Sequence, residues 1–202
     1  FKKPILLSTG MSTENEIQKT YSILKNTNIE FGLMNCLSEY PPNYEDLNLK
    51  YILKMKKKFL KAAIGHSDHT NDIFSSIAAV TLGAFIIEKH ITLDKNFKGP
   101  DSDVSIDFSD LTRLVKQIRL IEKSLGNKRI INNKEKIIRS WAHRSIVTIK
   151  EIKKGEMFSE ENIWTKRPGT GIPAKDYESV LGKISNKNIK NNTLLNIDDI
   201  QK

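Results

Sequence analysis

Cysteine is almost missing from this chain: Cys36 is the only one in 202 residues. A lone thiol excludes a disulfide framework and suits a cytoplasmic protein. No apolar run approaches the roughly 20 residues that a membrane-spanning helix needs, and no stretch reads as a secretory signal. Histidine is scarce too, with four in all. Acidic residues number 24 against 33 basic ones, for a formal charge of +9. Charge alone would suggest nucleic acid, but most of the excess is lysine. Its richest run, "KYILKMKKKF" (50–59), has the spacing of a solvated helix face. Neither a nucleic-acid nor a membrane partner is expected; such a surface favours a phosphorylated or carboxylated small substrate. With 38% hydrophobic and 28% charged residues, the composition is that of a soluble globular protein. The chain opens "FKKPILLSTGM", with no initiator methionine and directly into an apolar run, which reads as a piece of something longer.

What the chain does have is alternation. Apolar runs at 4–9, 31–36, 61–67 and 84–92 are separated by segments of helical period at 12–27, 43–59, 71–83 and 107–126. Ser12 or Thr13 is placed to cap the first of these, with a glutamate inside the first turn. In the second, Leu47, Leu49, Ile52, Leu53, Met55 and Phe59 fall near one face. Gly83 closes the third, and Leu111, Leu114, Val115, Ile118 and Ile121 form a stripe on the fourth. Strand–helix repeated four times predicts a parallel sheet with right-handed crossovers. Strands that are unbroken apolar runs are expected to be buried on both faces. From about residue 127 the chain turns polar and lysine-rich. Short β-type runs such as "RSIVTIK" and "ENIWTKR" then follow, broken by "KKGE" and "RPGTG". The expected organisation is an α/β domain over 1–126, a linker with some helix over 127–142, and a small β-rich domain over 143–202.

Each predicted strand ends in small or polar residues, and the carboxyl ends of parallel strands are the working face of such sheets. His69 in "IGHSDHT" and His90 in "EKHIT" end consecutive strands, 21 positions apart. They are either unrelated polar residues at strand ends or two imidazoles that share a divalent ion, with water and substrate oxygens completing its shell. Asp68 and Glu88 are candidate supporting or proton-transfer groups. Glu88 and His90 are two apart and so face the same way; His66 faces away from Ser67 and reads as structural. Ser8, with Thr9 and Gly10, ends the first strand as a capping turn or as donors to an anion. Ser38 and Tyr40 fall on the same rim, as does Asp101 in the loop "KGPDSD". Arg167 in "KRPGTG" reads as an ordinary surface charge.

Five blocks in order carry a resemblance: "KPILLSTGMST", "CLSEYPPNYEDLNL", "IGHSDHT", "EKHITLDKNFKGPDSDVSI" and "WTKRPGTGI". Together they resemble the sialic acid synthase family, the N-acetylneuraminate, legionaminate and pseudaminate synthases. The resemblance implies the C-terminal half of a TIM (β/α)8 barrel, strands five to eight, followed by a small SAF (antifreeze-like) β domain. The implied activity is condensation of phosphoenolpyruvate with an N-acetylmannosamine-type sugar, giving a nine-carbon 2-keto acid and phosphate. A legionaminate or pseudaminate synthase, or a non-catalytic SAF-type carbohydrate-binding fragment, are the alternatives. The resemblance makes His69 and His90 metal ligands, for Mn²⁺ first and Mg²⁺ or Co²⁺ otherwise, and Glu88 a proton-transfer group. It gives Ser8 and Ser67 to phosphoenolpyruvate, and counts Ser38, where some members have asparagine, among the substrate-binding residues without saying which substrate it meets. Tyr40 and Asp101 fall to the sugar. Arg167 and Trp141 belong to a pocket completed across a homodimer, with the SAF domain of one subunit over the partner's barrel. Without the family's earlier half, these residues alone are expected to be inactive.

Overall fold

The computed structural model describes residues 3–201. The chain divides into two units, one running to Asn127 and the other starting at Lys128. In the first, strands β1 (Ile5–Ser8), β2 (Phe31–Cys36), β3 (Ala63–Asp68) and β4 (Ile86–Lys89) form one parallel sheet in sequential order. Helices α1 (Glu14–Leu24), α2 (Tyr51–Lys58) and α3 (Phe74–Thr81) connect them, and α4 (Phe108–Ser124) follows β4. The expected strand–helix order is therefore present throughout.

Local chemistry explains the elements. Thr13 caps α1 through a capping box with Glu16, so two amides of the first turn find acceptors. Asp107 caps α4 by accepting from the Asp110 amide. Gly83, at φ +95°, turns the chain from α3 toward β4 in a conformation open to glycine. The expected helix over 43–59 is shorter than its apolar spacing suggested. A single 3₁₀ turn, Tyr44–Asp46, comes first, and Asn48 at φ +46° breaks the path before α2 begins at Tyr51. Asparagine tolerates that left-handed conformation.

Phe31, Leu33 and Ile64 pack against Ile17 and Tyr21 of α1, Ile52 and Met55 of α2, and Ala79 of α3. Ile73, Ile106 and Leu114 make a smaller cluster where α4 meets α3. The middle strands are buried nearly throughout, whereas β1 and β4, at the edges, are partly exposed. Alternation puts Leu6 and Ser8, Met34 and Cys36, Gly65 and Ser67, and Ile86 and Glu88 on the face turned from the helices. The register pairs them across the sheet: Ser8 with Met34, Met34 with Gly65, Cys36 with Ser67, and Ser67 with Glu88.

In the second unit, helix α5 (Asn133–Ala142) occupies most of the stretch expected as a linker. Strands β5 (Ser145–Thr148) and β6 (Ile163–Lys166) pair antiparallel. Isolated bridges such as Ile152–Ile189 and Met157–Ile184, with a short helix α6 (Tyr177–Val180), complete it. Its core is Ile146, Ile152, Phe158, Ile163, Ile172, Val180, Ile189 and Leu195.

Candidate functional site

The ladder between β3 and β4 ends at the Asp68–Lys89 rung. The next residue on each strand is a histidine. His69 and His90 bring their ring centroids to 5.3 Å, at 60° to one another. Tyr40 arrives from the loop after β2 and stacks on His69, centroids 4.1 Å apart, with its edge toward His90 at 5.8 Å. Three residues remote in sequence thus form one aromatic cluster at the carboxyl end of the sheet.

Hydrogen bonds settle which nitrogen of His69 is free. Its Nδ1 lies 2.8 Å from the Leu37 carbonyl. A carbonyl only accepts, so Nδ1 carries the proton and Nε2 keeps its lone pair. The Tyr40 hydroxyl lies 3.1 Å from that Nε2 and donates to it. A backbone acceptor behind Nδ1 is the usual support for an imidazole that ligates through Nε2. His90 Nδ1 lies 3.7 Å from the Asp101 carboxylate. The Tyr40 phenol is pushed above its ordinary pKa, first by burial and then by Cys36, Asp101 and Glu88.

Two residues back along each strand, the buried Ser67 hydroxyl donates to Glu88 Oε1 at 2.7 Å. Ser38 lies against Gly10: a Cβ on Gly10 would fall 2.1 Å from the Ser38 hydroxyl and 3.1 Å from Cys36 Sγ. Only a residue without a side chain allows that approach. The structure therefore gathers His69, His90, Tyr40 and Asp101 at one point, with Ser67 and Glu88 beside them on the same face. Ser8 is on that face too, but exposed and two strands from Ser67. Trp141 and Arg167 belong to the second unit, where both are exposed and Arg167 Nε donates to the Ala142 carbonyl at 3.1 Å.

Asp68 is not a partner of His69, as its place in the sequence had suggested. It points into the helix layer, where it forms an ion pair with Lys89 at 3.2 Å and accepts from Thr70 and Ser76. Burial raises its pKa, but Lys89 and the hydroxyls of Ser75 and Ser76 outweigh that and hold it below the ordinary value. His66 is buried on the same side, Nδ1 donating to the Asn35 carbonyl at 3.0 Å, and burial lowers its pKa. Its structural reading stands. Lys89 is a residue of this layer that the strand-end pattern does not single out. The signal was a lysine inside an apolar run, opposite an aspartate in the neighbouring one. Among the described residues, no three His, Cys, Asp or Glu side chains come close enough to hold a metal by themselves.

Comparisons with known proteins give the family. The model of the NeuB family matches residues 1–130, and that of the SAF domain residues 143–201. The N,N'-diacetyllegionaminic acid synthase of Campylobacter jejuni is 45% identical over 200 residues, covering 96% of this chain and 59% of that protein. The pseudaminic acid synthase of the same organism is 41% identical over 202 residues, with 99% and 58% covered. This chain therefore spans less than two thirds of the length of these curated relatives. Among solved structures, the N-acetylneuraminic acid synthetase of Leptospira borgpetersenii superposes with a TM-score of 0.61 at 37% identity. The match covers 66% of this chain and 47% of that one.

Proposed function

This chain belongs to the NeuB family and joins half of a TIM barrel to a SAF domain, and on that premise we propose that its residues serve a sialic-acid-type synthase. The reaction is condensation of phosphoenolpyruvate with an N-acetylmannosamine-type sugar, giving a nine-carbon 2-keto acid and phosphate. One observation carries this reading: two imidazoles side by side at the ends of adjacent strands, one with its Nε2 lone pair set by the Leu37 carbonyl.

His69 and His90 would hold a divalent ion, Mn²⁺ first, and the fit is good because neutral imidazoles leave the ion its charge. Bound there, the ion supplies Lewis-acid polarisation of the sugar's aldehyde. The other groups follow from their positions. C3 of phosphoenolpyruvate bonds to the aldehyde carbon, water adds at C2, and the C2–O bond to phosphate breaks. The oxygen of that water becomes the keto oxygen; one of its protons goes to the aldehyde oxygen and the other to phosphate. Glu88, steadied by Ser67, is the carboxylate that moves a proton. Its partner Ser67 must turn from Glu88 to donate to phosphoenolpyruvate, whereas Ser8 is already free to do so, and Ser38 lies on the same rim to meet substrate. Tyr40 and Asp101 face the sugar. Arg167 and Trp141 would act from the SAF domain of a partner subunit, in a cytoplasmic homodimer, and these residues without the rest of a barrel would be inactive.

The test is Mn²⁺ titration calorimetry on the wild type, His69→Ala and His90→Ala. Each substitution is expected to weaken binding by at least about tenfold. Wild-type affinity in both variants would refute the proposal. Phosphate release from phosphoenolpyruvate, assayed in a complete-barrel protein carrying these residues, then identifies the sugar. N-acetylmannosamine and a 2,4-diacetamido-trideoxyhexose are the two to compare.

A further inference from the structure

Asp68 and Lys89 stand one residue ahead of His69 and His90, and they are partners on the last rung between β3 and β4. Their side chains are 0% and 3% exposed. Resting on the reading of the two histidines as a metal pair, we propose that the Asp68–Lys89 pair is a clamp that sets the separation of the two imidazoles. Neither side chain reaches the cluster itself, so both are positioning residues.

The argument starts from where the sheet stops. His69 and His90 lie just beyond the last rung, so no ladder hydrogen bond between β3 and β4 holds one to the other. The clamp replaces that rung. The amide and hydroxyl of Thr70 both donate to Asp68 Oδ1 at 2.8 Å. The Lys89 ammonium donates to the Thr70 carbonyl and lies 3.3 Å from its hydroxyl. The residues before and after His69 are thereby both tied to the residue before His90. Ser76 of α3 donates to Asp68 Oδ2 at 2.5 Å and fixes the clamp to the helix layer.

Stability does not account for such a pair. Desolvation of two buried charges offsets most of their attraction, and the best-attested use of a buried polar pair is to fix register. Register matters here because a slip of one residue turns every side chain to the opposite face. It would send one imidazole into the helices and bring a lysine or aspartate to the cluster.

The test uses the full chain with Asp68→Asn, Lys89→Met and the double variant, reading Mn²⁺ affinity by calorimetry and Tm by circular dichroism. Phe59→Leu, at a buried position of the α1–α2 core, controls for lost stability. Asp68→Asn and Lys89→Met are each expected to weaken Mn²⁺ binding about tenfold, and the double variant no more than the worse of them. Phe59→Leu should lower Tm and leave the affinity alone. The double variant leaves no lone buried charge, so it decides the matter even if a single variant fails to fold. Wild-type affinity in the double variant, while His69→Ala loses binding, overturns the clamp and spares the metal reading. Wild-type affinity in both His69→Ala and His90→Ala overturns the metal reading itself. Losses that add in the double variant overturn the pairing.

Discussion

The Tyr40 hydroxyl offers a test whose direction runs against intuition. In the structure it donates to His69 Nε2 across 3.1 Å, the same lone pair that an ion would take. Any metal binding there must first break that hydrogen bond. Tyr40→Phe removes the hydroxyl and keeps the ring that stacks on His69 at 4.1 Å. A neutral hydrogen bond contributes about 0.5–1.5 kcal/mol net, which corresponds to roughly two- to twelvefold in a binding constant at RT of about 0.59 kcal/mol. Tyr40 is 48% exposed, so water takes over part of the bond in the variant and the lower end applies. The expected result is Mn²⁺ binding tightened about two- to fivefold. Calorimetry on the parent and the variant under identical conditions reads the change. Unchanged or weaker binding would refute the reasoning, because it would mean that the hydroxyl accepts from an Nε2–H and that the Leu37 carbonyl does not set the tautomer.

Three further outcomes test the scaffold. Gly65→Ala would put a Cβ 2.3 Å from Met34 Sδ and 2.8 Å from the Ile86 carbonyl oxygen. Overpacking of this kind costs about 1–3 kcal/mol in urea unfolding, and a loss below about 0.5 kcal/mol would show that the strands part easily. Hydrogen bonds from Lys54 and then Lys58 hold the Glu14 carboxyl down at about 2, from an ordinary 4.5. A depressed carboxyl stabilises the fold above its unfolded pKa and ceases to as pH falls through the folded one. Glu14→Gln should therefore be less stable than its parent at pH 7 and converge with it between pH 4.5 and 2; a gap independent of pH would exclude the ion pairs. Phe158→Ala, in the core of the second unit, should cost that unit about 3–5 kcal/mol. Tryptophan fluorescence follows its unfolding, since Trp141 and Trp164 are the two tryptophans and both lie there; a loss under about 1 kcal/mol would mean that the site collapses around the gap.

Much of the first unit was legible because its strands are uninterrupted apolar runs and its helices carry their own caps. Thr13 with Glu16, and Gly83 after α3, are local signals that survive into the structure. The break before α2 was not legible, since the spacing of Leu47, Leu49 and Ile52 suits a helix whether or not Asn48 turns left-handed. In the site, alternation correctly placed Glu88 and His90 on one face and His66 on the other. The same rule, applied to Asp68 and His69, puts them on opposite faces. Adjacency in sequence is not adjacency in space; in a strand it is the reverse. The Leu37 carbonyl had no signal at all, because a backbone acceptor is common to every residue type.

This asymmetry has a physical origin. The polar side chains of the candidate site fall on the open face at the carboxyl ends of strands, where a polar residue after an apolar run stands out. Behind them, in the helix layer, Asp68, Lys89, Thr70 and Ser76 satisfy one another. A lysine in an apolar strand must find a buried partner, because an unpaired charge there would cost several kcal/mol (about 3–5 when one partner is removed). The nearest position able to supply one is the rung opposite, and the rung opposite Lys89 is Asp68. Reading buried charges as pairs across predicted strands, before assigning them any chemistry, separates Asp68 from the groups on the open face.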